Sequence, residues 1–226
     1  MMDIPPTLMH GTRASAMPSI FAHGIRPRGK DVKRNNWKHT IGSNSKSVYL
    51  SNTYALYFAW NAAHDDDCVV IELDTEPLRF LHADEDALEQ ANRGRDDLPE
   101  GWGMKRRTIW YRARAQNYGA GASLAALGTC AYRGTVPPEC ILRYCTVSHR
   151  AMLNLVMGAF DPTISILNHR IMGERHRQFH RWLFGDEAEC QTNPELTREG
   201  IKVVNVREYR EPAWRVTRAL DAYSNF

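Results

Sequence analysis

No apolar run in the 226 residues approaches the length that crosses a bilayer, so no membrane partner is expected. The opening residues Met1, Met2, Asp3, Ile4, Pro5 and Pro6 carry neither the basic head nor the apolar stretch of a secretory signal, which predicts a cytoplasmic protein. Cysteine is sparse and odd in number: Cys68, Cys130, Cys140, Cys145 and Cys190, with no C-x-x-C pair. That excludes a disulfide framework and a structural zinc site from the expectations and leaves buried, inert thiols. There is no internal repeat, no low-complexity tract, no Walker lysine loop, no G-x-G-x-x-G after a strand and no G-x-S-x-G elbow. His176 and His180 stand at i, i+4 but lack a neighbouring carboxylate or an H-E-x-x-H pattern, so no metal is expected.

What is present is an ordinary globular composition, 43% hydrophobic and 24% charged, with a mild net charge of +3. The distribution of charge says more than its sum. Lys105, Arg106, Arg107, Arg112 and Arg114 surround Trp110 and Tyr111. A second cluster holds His169, Arg170, Arg175, His176, Arg177, His180 and Arg181. Basic side chains interleaved with aromatics suit a phosphate backbone and stacked bases, and a solvated face with packed arginine stems is the plain alternative.

Along the chain, residues 7–10 read as a short strand running into a tight turn at Gly11. Met17, Ile20 and Phe21 recur at helical spacing, with Pro18 confined to the first turn and Gly24 as the stop. Residues 26–46 read as a long polar loop and 48–51 as a strand. Residues 53–63 form an apolar helix with Thr53 as its N-cap, and 68–73 the clearest buried strand. Asp84, Glu85 and Asp86 open a short helix to about Ala91, and residues 92–122 read as irregular. Strands over 129–132 and 141–147 are joined by a Gly- and Pro-bearing connection. From about 149 the character changes: 151–184 helical, 201–209 a strand, 212–222 a terminal helix. The expected organisation is a domain over 1–148 and a mostly helical region over 149–226.

The order of these pieces is informative. A strand carries His10-Gly11-Thr12-Arg13, a helix follows with Ile20 and then Gly24-Ile25, and a polar loop leads to Val48-Tyr49-Leu50-Ser51. Next comes a helix with Tyr54, Ala55 and Tyr57. This order resembles the His-Tyr-Glu branch of the ADP-ribosyltransferase superfamily, which includes poly(ADP-ribose) polymerase catalytic domains and bacterial toxins that modify nucleic acids. The resemblance is dense over residues 10–25 and 48–58 and spans about 7–147; Met17 stands near where the family often has Asn.

The resemblance implies an α+β fold with a split β-sheet core, NAD as substrate and no metal. Gly11 would offer close backbone approach to the nicotinamide amide, beside Thr12. Tyr57 would stack on the ring, with Tyr54 on the same helix and Tyr49 closing the pocket. His10 would hydrogen-bond the adenosine ribose, and Arg13 or a residue of the 26–46 loop would contact the pyrophosphate. The stretch Lys105, Arg106, Arg107, Trp110, Arg112 and Arg114 would meet a nucleic-acid acceptor; a protein acceptor or an antitoxin partner stays open.

The resemblance breaks at the third motif. Where the family carries a glutamate, residues 127–132 hold no acid and Thr129 takes the position, so the catalytic set it implies is His10, Tyr49 and Thr129. Asp84, Glu85 and Asp86 are an alternative source of carboxylates, against the plain account of a solvated, dipole-matched helix start. The expected function is ADP-ribosyl transfer to a macromolecule, leaning to RNA or DNA, by a bacterial or phage toxin or defence effector. The alternatives are a catalytically degenerate module that binds nucleotide or nucleic acid, and an RNA 2′-phosphotransferase-like enzyme.

Overall fold

The computed structural model describes residues 3–28, 41–92, 101–158, 169–188 and 197–206. Cys190, residues 29–40 of the polar loop and the helix expected over 212–222 lie outside them. The described residues form an α+β structure around one antiparallel sheet of seven strands. In chain order these are β1 (Thr7–Arg13), β2 (Ser47–Ser51), β3 (Cys68–Asp74), β4 (Leu81–Ala83), β5 (Thr129–Arg133), β6 (Ile141–Val147) and β7 (Ile201–Asn205). Their spatial order is β4-β5-β2-β1-β3-β6-β7. The helices are α1 (Met17–His23), α2 (Ala55–Ala63), α3 (Glu85–Asn92), α4 (Met104–Tyr118), α5 (Ala120–Leu127), α6 (His149–Gly158) and α7 (His169–Phe184).

β3 is central because it is apolar on both faces: Val69, Ile71 and Leu73 enter one core, Cys68 and Val70 the other. It pairs along its whole length with β1, from Thr7↔Asp74 to Arg13↔Cys68. On its other edge β1 meets β2 at one pair, Met9↔Ser51, and beyond it the two strands part. The sheet is thus two ladders, β4-β5-β2 and β1-β3-β6-β7, joined at a narrow seam.

Several expectations are corrected. Gly11 is no turn: β1 runs through it to Arg13, because α2 packs directly on the strand there. A Cβ on Gly11 would lie 1.9 Å from the Ala55 carbonyl oxygen. Thr53 does not cap α2; the Ser51 hydroxyl accepts the Thr53 and Tyr54 N–H groups at 2.9 and 2.6 Å. The described part of residues 92–122 is not irregular. From Gly103 onward it is α4 and α5, separated by Gly119 at φ +82° and closed by Gly128 in the left-handed region at φ +71°. The two strands expected over 129–132 and 141–147 are present as β5 and β6; they lie in different ladders, and in the connection between them Val136 bridges Ile25.

The C-terminal region has no separate core among the described residues. Phe179, Trp182, Leu183 and Phe184 of α7 share a cluster with Ala55, Leu56 and Ala59 of α2 and with Cys145 and Val147 of β6. β7 extends the same sheet. Arg143 clasps the end of α7, donating to Glu72 at 2.5 Å and in a fork to Asp186 at 2.7 and 2.6 Å. Cys68, Cys130, Cys140 and Cys145 are buried free thiols, and burial pushes Cys68 and Cys145 up to about 12.

Candidate functional site

Where β1 and β2 part, a cavity of about 480 Å³ opens. Its walls are His10, Gly11 and Thr12 of β1, and Ser47, Val48 and Tyr49 of β2. Ala16, Ser19, Ile20 and residues 24–28 line it from α1 and the chain beyond, and Phe58 and Ala62 from α2. The volume is in the range of cofactor pockets. An antiparallel strand directs both backbone groups of alternate residues to the same side, so part of the β1 edge past Met9 faces this opening without a strand partner.

His10 crosses the gap. Its Nδ1 lies 2.9 Å from the Tyr49 carbonyl oxygen. A carbonyl oxygen can only accept, so Nδ1 carries the proton and Nε2 is left as an acceptor. Burial pushes the imidazole down to about 4, which Arg28 reinforces and the Tyr49 bond opposes, so the ring is neutral at physiological pH. The charged residues that line the cavity are Arg26 and Arg28, with Arg26 donating to Ser19 at 3.2 Å. No carboxylate lines it among the described residues.

The carboxylates are one layer behind Tyr49. Asp84, Glu85, Asp86 and Glu89 are all buried, with exposures of 0, 1, 0 and 0%. That overturns the solvated helix start. Segment 41–44 lies along α3 and meets the acids in turn: Ile41 N–H donates to Glu89, the Ser43 hydroxyl to Asp86 at 2.5 Å, and Asn44 N–H to Glu85 at 2.9 Å. Arg107 pairs with Glu89. Asp84 caps α3 by accepting from Ala87 N–H at 3.1 Å. The Tyr49 hydroxyl donates to Glu85 at 2.7 Å and accepts from Asn44 N–H at 2.5 Å. Burial and the neighbouring acids hold Asp84 well above the usual carboxylate range and raise Glu85 and Tyr49.

Of the residues singled out from the sequence, His10, Gly11, Thr12 and Tyr49 meet at the cavity. Tyr57 does not line it; Phe58 and Ala62, one turn apart on α2, take that wall, and the Tyr57 ring packs against Phe58 at 5.6 Å. Tyr54 is 2% exposed and buried beside His176, because it precedes α2 at the seam with α7. Arg13 is exposed at the end of β1, off the cavity, whereas Arg26 and Arg28, from the 26–46 loop given as the alternative to it, line the cavity. Thr129 is fully buried on β5 opposite Ser51, with no partner for its hydroxyl among the described residues.

The basic stretch divides by helical phase. Arg107 turns inward to Glu89, and Arg112 turns to the Gly42 carbonyl at 3.5 Å. Lys105, Arg106 and Arg114 stay exposed, with the Arg114 guanidinium 4.9 Å from the half-buried Trp110 ring. In the second cluster His180 is structural: Nδ1–H donates to the His176 carbonyl at 2.7 Å, and Nε2 accepts Leu56 N–H at 3.3 Å, closing the start of α2. Arg177 and Arg181 pair with Glu174, and Arg181 also with Glu187. No group of three or more His, Cys, Asp or Glu is arranged to hold a metal among the described residues, and none of their helices is long and apolar enough to cross a membrane.

No family model matches the chain, and no curated protein matches it. Among solved structures it is similar to a chain named EcPltA, with a TM-score of 0.35 and 10% identity over 65% of this chain and 79% of that one. At that TM-score the likeness assigns neither a fold family nor an activity.

Proposed function

We propose that the chain is an NAD-dependent ADP-ribosyltransferase and that NAD occupies the cleft between β1 and β2. The observation that carries this reading is His10, whose neutral ring is locked by Tyr49 with Nε2 as an acceptor, in a cavity whose charged lining, among the described residues, is Arg26 and Arg28. A neutral imidazole acceptor suits a ribose hydroxyl, and guanidinium groups such as Arg26 and Arg28 suit a pyrophosphate. Tyr49 and Phe58 offer aromatic faces to nicotinamide, and the unpaired β1 edge offers backbone groups to its carboxamide. The parted antiparallel sheet supports the ADP-ribosyltransferase-like core. In the reaction, the bond from the nicotinamide nitrogen to ribose C1′ breaks and its electron pair leaves with nicotinamide. A nucleophilic atom of the acceptor then bonds to C1′ and gives up its proton. The exposed Lys105, Arg106 and Arg114 around Trp110 favour a nucleic-acid acceptor, as a toxin or defence effector would use.

A second reading, a nucleotide-binding module without transfer, is favoured by the absence of a carboxylate from the described cavity wall. Nicotinamide release from labelled NAD, measured with RNA, DNA or protein acceptors, separates the two. The first reading expects release and label transfer to one polymer class, with His10→Ala lowering kcat/KM about 100-fold or more. NAD binding with no release in any mixture establishes the second reading, and no NAD binding at all rejects both.

A further inference from the structure

We infer that Glu85 supplies the negative charge that the described residues of the cleft wall lack, acting through the Tyr49 hydroxyl as a positioning residue for the reaction. This rests on the NAD reading. Loss of nicotinamide builds positive charge at C1′, and that charge needs a fixed negative partner. Thr129 does not provide one. Tyr49 lines the cavity and places its hydroxyl on the Glu85 carboxylate at 2.7 Å.

Three further observations single out Glu85 from its neighbours. Glu89 is neutralised by Arg107, whereas no Lys or Arg pairs with Glu85 among the described residues. Asp84 and Asp86 are in side-chain hydrogen-bond contact, yet Asp84 Oδ2 and Asp86 Oδ1 are buried with no donor among the described residues. Burial and the adjacent Asp86 push Asp84 well above the usual carboxylate range, against carrying a charge. Glu85, by contrast, receives two donors, Tyr49 O–H and Asn44 N–H, the pattern that stabilises an ionised carboxylate. The placement follows from register. β4 and β5 pair at Ala83↔Cys130, so the next step brings residue 84 opposite Thr129, whose buried hydroxyl has no partner among the described residues. The acids therefore stand beside the acid-free position, delivered from the neighbouring strand.

The test uses the full chain and four proteins: wild type, Glu85→Gln, Tyr49→Phe and the double variant. NAD affinity is read by calorimetry, and kcat and KM for NAD by nicotinamide release with saturating acceptor. A charge felt mainly in the transition state moves kcat and leaves NAD binding alone. We expect Glu85→Gln to lower kcat roughly 10- to 100-fold with the NAD Kd within about twofold. Tyr49→Phe, which keeps the ring and removes the hydroxyl, lowers kcat to a similar extent, and the double variant falls no further than the lower single. An unchanged kcat in Glu85→Gln, losses that multiply in the double variant, or kcat and affinity falling together overturn the role. If Glu85→Gln does not fold, Tyr49→Phe decides by itself, and wild-type kcat there overturns the inference. Wild type that turns over NAD with both variants unimpaired rejects Glu85 alone. Wild type that binds no NAD, or binds it without releasing nicotinamide, removes the transferase reading and the inference with it.

Discussion

A methyl group on Gly11 would lie 1.9 Å from the Ala55 carbonyl oxygen and 2.5 Å from the Ala59 nitrogen. Both are helix backbone, which cannot step aside as a flexible side chain can. Gly11→Ala must therefore push α2 off β1, and we expect it to cost about 3 kcal/mol, at the upper end of core overpacking. Urea denaturation checks this, with a lower midpoint and an unchanged slope. Because Gly11 and Phe58 of α2 both line the cavity, the same change also alters the site. His10 was legible as a candidate from the order of the motifs around it and the resemblance that order carries, but not its protonation state. That required the Tyr49 carbonyl, 39 residues away.

α2 begins without a side-chain cap of its own: Tyr54 precedes it, and the help comes from outside, from Ser51 on β2 and His180 on α7. Burial pushes His180 down to about 4, which keeps Nε2 an acceptor for Leu56 N–H at neutral pH. His180→Phe conserves volume but strands that N–H, and we expect a loss of about 1–2 kcal/mol. His180→Ala adds a void beside Phe179, for about 2–4 kcal/mol in all. Equal stability of wild type and His180→Phe in urea titrations at pH 7.5 would remove the cap from the account. Elements with strong periodicity were legible from the sequence: β3, β6 and α1 stand close to where their patterns place them. α4 was not, because Tyr111 and Ala115 are its buried residues and the rest of its surface reads as polar loop.

Across the whole molecule, burial of ionisable groups sets two opposing pH dependences. His10 and His180 are depressed to about 4 from 6.5, so the unfolded chain binds protons that the native one refuses. Their contribution is complete above 6.5 and is lost as pH falls toward 4. Asp84 is raised, so its contribution is complete below its ordinary 3.8 and is lost as pH rises through its native value. Asp84→Asn keeps the shape and can still donate to Asp86, but never charges. We expect its stability advantage over wild type to be larger at pH 8 than at pH 5, and the variant to weaken more steeply than wild type below pH 6.5. An advantage equal at the two pH values would show that Asp84 titrates alike in both states. The region after 148 belongs to this same balance. α7 supplies His180 to α2, and Arg143 ties α7 to the sheet through Asp186.

The sequence by itself determined the elements whose side chains repeat with a clear period, because local order and residue type carry that information; His10-Gly11 and Tyr49 came together as candidates only through the resemblance of their order to the ADP-ribosyltransferase motifs. The tertiary structure decided what depends on distant segments. It separated β5 from β6, parted β1 from β2, and folded segment 41–44 over Asp84, Glu85, Asp86 and Glu89. Read locally, those acids are a helix start in water. A segment some 40 residues upstream removes that water and supplies the donors, so their burial and their link to Tyr49 arise only when the chain closes on itself.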